Sequence, residues 1–148
     1  MSDGGASRLS SLGDLVEPRA ARSNVTPPVG DYDCRTVRLG PSDNGGRGLS
    51  IHNWFSCRIE NTPAGLKFVK LDGTQRPAGL LFDEDDQHMI MLGSMALETE
   101  PTPHSYGLTP DRDLVAVLER TGPARWRLVF PWPVSGTVIE LIELVPAS

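Results

Sequence analysis

Two cysteines, three histidines and twelve arginines carry most of the reactive chemistry in this chain. The cysteines sit in similar contexts, "DYDCRTVRLG" and "NWFSCRIE", and an arginine follows each at once: Cys34-Arg35 and Cys57-Arg58. A structural metal site takes about four ligands, often in C-x-x-C pairs, and two cysteines 23 positions apart lack that spacing. No metal ligand is therefore assigned. Both cysteines fall near the middle of the first two expected strands, and neighbouring antiparallel strands can bring Cα atoms to the roughly 5.5 Å a disulfide requires. Closing such a loop adds about 3 kcal/mol in the chain-entropy view. Two reduced core thiols or a reactive site are the alternatives, and a disulfide in turn favours an oxidising compartment.

The remaining candidates are weaker. His52, His88 and His104 are not spaced as metal ligands on one element. The acidic run "DEDD", Asp83 to Asp86, lacks the spacing and glycine of a calcium loop and reads as a solvated hairpin tip. Ser94 in "LGSM" has no G-x-S-x-G elbow around it, and "NGGRG" at 44–48 precedes no helix that could make it a phosphate loop. No catalytic residue is assigned and no cofactor is expected. The best polar constellation is "GTQR", giving Gln75 and Arg76, together with Arg35 and Arg58, and these four are the candidate binding residues. Arg58 alternates with Phe55, Cys57 and Ile59, so it faces away from the core if they face into it. An arginine inside the fold would need a carboxylate partner, for which Glu119, Glu140 and Glu143 are available.

The elements that must position these residues are short. At 148 residues the chain fits one domain with a single core, and 39% apolar with 22% charged residues is a globular balance. Thirteen prolines and fifteen glycines imply many turns, which favours β structure. The net charge of −5 argues against nucleic acid, whose backbone needs a basic stripe to neutralise it. No run approaches the roughly twenty apolar residues of a membrane span. Twelve arginines against two lysines suit paired carboxylates or aromatic stacking, and equally reflect genomic base composition.

Residues 1–30, closed by "TPPVG", read as an N-terminal arm, flexible or with a short helix around Leu9, Leu12, Leu15 and Val16. The domain proper spans 31–148. Eight strands are expected at 31–39, 50–60, 65–71, 76–82, 87–93, 114–120, 125–130 and 137–145, with a long connection over 94–113. In "RWRLVF", Trp126, Leu128 and Phe130 share one face. The last segment, "TVIELIELV", is ambiguous between helix and strand, and its β-branched content favours strand. An all-β antiparallel meander of this kind closes into a small eight-stranded barrel, removing its exposed edges, or stacks as a two-layer sandwich.

The blocks "DYDCRTVRLG", "WFSCRIE", "KLDGTQRPAGLLF", "MIMLG" and "LERTGPARWRLVFPWP", closing on "ELVP", occur in an order that resembles a family of small alphaproteobacterial proteins described only as a domain of unknown function. The resemblance covers residues 31–146. It implies export, with the two cysteines in the same Cys-Arg contexts, and brings no activity or catalytic residue with it. The stretch after Met1 has neither a basic start nor an apolar core of a signal peptide. The expected compartment is the periplasm or the exterior if an export signal has been removed, and the cytoplasm otherwise.

Three functions follow as expectations. The first is a non-catalytic binding or inhibitory module of the cell envelope, with a protein or a small hydrophobic ligand as partner and an exposed patch around Tyr106 and Trp132. The second is a small cavity enzyme, an isomerase or cyclase, holding a hydrophobic substrate in the barrel beside Arg58, Arg76 or Glu119; a barrel filled by Trp126, Phe68 and Leu128 would oppose it. The third is a structural subunit tethered by its arm.

Overall fold

A computed structural model describes residues 20–41, 47–98, 100, 106–108, 110–131 and 139–147. Among these residues there are nine antiparallel strands: β1 (Gly30–Pro41), β2 (Arg47–Ile51), β3 (Phe55–Thr62), β4 (Gly65–Lys70), β5 (Gln75–Asp83), β6 (Met89–Leu97), β7 (Asp113–Gly122), β8 (Arg125–Phe130) and β9 (Ile139–Pro146). Each strand from β3 to β9 pairs with the next, and β1 pairs with both β3 and β9. Eight strands therefore close into the expected barrel, and β2 is a further strand on β1. No described helix is long and apolar enough to cross a membrane.

The single strand expected over 50–60 is divided. β2 lies along the second half of β1 and β3 along the first half, with His52–Trp54 between them. Val37 faces Ile51 whereas Cys34 faces Phe55, so three steps on β1 are matched by four on its partners. That extra residue turns Ile51 outward with Val37 and Phe55 inward with Cys34, although a regular strand would put both on one side. The ambiguous last segment is strand β9. Strand geometry places Glu140 inside, opposite Phe130 and Arg38, and Glu143 outside, opposite Arg127 and Arg35.

Alternate residues of every barrel strand point inward and fill its centre. Phe68, Cys57, Met91, Ala116, Leu128 and Leu144 are buried there. One end is closed by the described part of the arm: Val25 is buried in the core, and the Trp126 indole donates to its carbonyl at 2.7 Å. Tyr32 meets the Trp126 ring edge-on, with centroids 6.0 Å apart. The expected short helix around Leu9 to Val16 lies outside the described residues. Between β5 and β6 the backbones approach closely at Gly79 and Gly93, which face each other. A Cβ on Gly93 would stand 1.9 Å from the Ala78 carbonyl oxygen, so only glycine fits.

Candidate functional site

The barrel is filled at its centre, closed by Val25 at one end, and polar at the other. Towards that polar end the inward-facing positions change character. On β1 the series Tyr32, Cys34, Thr36 ends in Arg38; on β4 the series Leu66, Phe68 ends in Lys70; on β9 the series Leu144, Ile142 ends in Glu140. Gln75 at the start of β5 completes the ring. These side chains surround a cavity of about 190 Å³ whose apolar floor includes Phe55, Met95 and Phe130. It reaches solvent past His52 and Thr74, both exposed.

Arg38 organises this mouth. Its Nε donates to Glu140 Oε1 at 3.2 Å, its Nη2 donates to Gln75 Oε1, and its Nη1 lies 3.3 Å from His52 Nε2. A guanidinium only donates, so His52 accepts through Nε2 and is neutral. Burial and then the Arg38 charge pull the His52 pKa below its usual value, consistent with that state. Lys70 differs. The residue is only 9% exposed, its ammonium reaches solvent at the mouth, and among the described residues that ammonium has no hydrogen-bond or ion-pair partner. It rests 4.5 Å from the centroid of the Phe55 ring. Burial lowers its pKa, and the attraction of Asp72 and Glu140 only partly offsets that.

The four residues expected to bind are not brought together. Gln75 alone lines the mouth. Arg35 and Arg58 leave the barrel on its outer face, as their alternation with the cysteines requires. There Arg35 Nε donates to Glu143 Oε1 at 2.7 Å and its guanidinium stacks 4.7 Å from the centroid of the Trp54 ring. Arg58 pairs with Asp31 at 2.9 Å in an exposed position. Arg76 donates to the carbonyls of Glu98, at 2.9 Å, and Glu100, tying down the chain after β6. The Cys34 and Cys57 sulfurs are 2.12 Å apart, with Cα atoms at 6.0 Å, a disulfide-distance pair between β1 and β3. Cys34 stands opposite Phe55 and Cys57 opposite Tyr32, so the pair is diagonal rather than directly opposed.

Of the three carboxylates available to an arginine inside the fold, only Glu140 serves one there. Glu140 pairs inside with Arg38; Glu143 and Glu119 pair outside, Glu143 with Arg35 and Arg125, Glu119 with Arg127 and His88. His88 also bonds Asp85 at 2.8 Å within the acidic turn between β5 and β6. Burial depresses the His88 pKa, but the Asp85 hydrogen bond and the charges of Asp85, Glu119 and Glu84 outweigh it, for a net rise. Among the described residues no group of three His, Cys, Asp or Glu side chains could hold a metal ion. The Ser94 hydroxyl is buried with no hydrogen-bond partner among the described residues.

Of the expected exposed patch, Trp132 and also His104 lie outside the described residues. Tyr106 is exposed and borders an outer groove of about 500 Å³ with Phe82, Leu80 and Pro63. The interior members of the mouth, Arg38 and Lys70, were missed as binding residues. The signal that could have found them is phase: each continues an inward-facing series of its strand.

The polarising residues named for a cavity enzyme, Arg58, Arg76 and Glu119, do not line the mouth, and Trp126, Phe68 and Leu128 fill the centre. No curated protein and no solved structure matches the chain. A family model does match, over residues 1–144, and so takes in the arm as well as the barrel. The chain belongs to the family described as Domain of unknown function (DUF4893).

Proposed function

We propose that the protein is a non-catalytic binding module of the cell envelope, and that its ligand seats in the polar mouth of the barrel. The observation that carries this reading is the contrast between a packed centre and an open end where Arg38, Gln75 and His52 are already oriented by one another. Polar groups held in place before a ligand arrives lose little entropy on binding, which is how a small site gains affinity. Of the four residues expected to bind, Gln75 enters this reading. Arg35, Arg58 and Arg76 have partners of their own in the fold. Assignment to the envelope rests on the cysteine pair, which suits an oxidising compartment.

Native mass spectrometry of protein recovered from its source tests both parts. The expected spectrum shows the oxidised cysteine pair and a small non-covalent adduct that an Arg38→Ala chain loses. Bare protein with two free thiols would contradict the compartment and the ligand together.

A further inference from the structure

Lys70 is a cation of the mouth that the fold itself leaves without an ion pair among the described residues. The residue is nine-tenths buried, it lines the mouth, and it has neither a hydrogen bond nor an ion pair there, its ammonium reaching solvent instead. A partly desolvated charge without a protein partner opposes folding, and an apolar side chain of similar volume would be the more stable choice. The nearby carboxylates relieve it only in part: neither makes an ion pair with Lys70, Glu140 accepts from Arg38, and Asp72, which accepts from the backbone N–H of Ser56 at 2.8 Å, attracts Lys70 from a distance. The Phe55 ring face offers the ammonium partial compensation only. With His52 neutral, the charged side chains that line the mouth are Arg38, Lys70 and Glu140; Glu140 is engaged by Arg38, and Asp72 attracts Lys70 from outside the lining.

We propose that the mouth binds a small organic monoanion, its carboxylate on Lys70 and its apolar body against Phe55, Met95 and Phe130. This rests on the reading of the mouth as the ligand site and adds the chemical class of the ligand. A cavity of about 190 Å³ falls below the roughly 300–1,000 Å³ of sites for drug-sized molecules, so the occupant is about the size of one ring. A carboxylate supplies Lys70 with the ion-pair partner it lacks in the chain, and the polar rim with an apolar floor suits a molecule polar at one end only.

Benzoate and its neutral near-isostere benzamide are suitable probes for the full chain, titrated by calorimetry and mapped by amide chemical shifts. Benzoate is expected to bind with a dissociation constant on the order of a millimolar or tighter. It should shift His52, Thr74 and Gln75, and benzamide should bind at least about tenfold more weakly. This comparison uses the unaltered chain and so needs no variant to fold. Lys70→Met should remove the preference for benzoate, whereas Lys67→Met, the same charge change on the outer face of β4, should leave it intact. Equal binding of the two probes at the mouth, unchanged in Lys70→Met, would overturn the anion and keep the mouth as a site for neutral ligands. No shift at His52, Thr74 or Gln75 with either probe would overturn both.

Discussion

Strands β1 and β9 carry two sets of charges on opposite faces, and the sets are built differently. On the outer face Arg35, Glu143, Arg127 and Glu119 stand side by side on β1, β9, β8 and β7, alternating in sign. Both carboxylates use both oxygens: Glu143 holds Arg35 at 2.7 Å and Arg125 at 3.3 Å, while Glu119 holds Arg127 at 2.8 Å and His88 at 3.2 Å. On the inner face Arg38 pairs with Glu140, but Lys70 is left over. A cross-strand ladder of satisfied pairs is what a fold needs from charge. A partly desolvated cation without an ion pair adds nothing to folding, and it leaves the mouth a charge free to engage a ligand. Completeness of pairing, more than the number of charges, separates the structural face from the candidate site.

Both faces depend on β1 staying beside β3, where the cysteine pair lies. Cys34→Ala with Cys57→Ala should lower unfolding free energy by about 3 kcal/mol in urea and weaken both faces together. A loss well under that would mean the strands are held by the core alone. Glu143→Gln acts on the outer face only. Glu143 is 2% exposed, and the change leaves two guanidiniums short of a charge; their own partial exposure softens the effect to about 2 kcal/mol. If the ladder is structural, the benzoate affinity of this variant stays that of the unaltered chain.

Lys70→Met should move stability the other way, raising it by about 1 kcal/mol without ligand, since it removes a partly desolvated charge without an ion pair. Lys70 has a folded pKa below its unfolded one, so the charged form opposes folding. The penalty is full below the folded pKa and fades as pH rises toward the unfolded value. The gain from Lys70→Met should therefore shrink in alkaline solution, as thermal melts across that range would show. Loss of stability in Lys70→Met at neutral pH would place Lys70 with the structural charges. The smallest effect is at His88, whose pKa is raised by Asp85, Glu119 and Glu84 against the opposing effect of burial. Its contribution is present below the unfolded pKa and lost as pH rises through the folded one. His88→Gln should cost no more than about 0.5 kcal/mol in mildly acidic solution and nothing measurable at pH near 9.

Much of the barrel was legible because its strands alternate cleanly. The face shared by Trp126, Leu128 and Phe130 follows from the period-two pattern, the strand character of the last segment from its β-branched content against a helix-like spacing, and the closure into eight strands from the removal of exposed edges. The division of β2 from β3 was not legible. Ile51 and Phe55 are both apolar and an even number of residues apart, so sequence alone puts them on one face; only pairing with Val37 and Cys34 reveals the extra residue between them. The sequence makes Glu119, Glu140 and Glu143 available as partners for an arginine inside the fold, and only Glu140 has that place; Glu119 and Glu143 meet their arginines on the outer face. The site was harder, because a lysine at the end of an apolar series looks like the polar end of a strand. What sets Lys70 apart is the missing partner, and that requires three dimensions.

The central claim is that Lys70 is a partly desolvated cation at the mouth that takes its ion-pair partner from a ligand, and titration of its side-chain nitrogen by NMR tests it most directly. The ammonium should titrate below the ordinary lysine value in the free protein and move back up when benzoate fills the mouth. A lysine that titrates as an ordinary exposed one, and does not respond to benzoate, would contradict it.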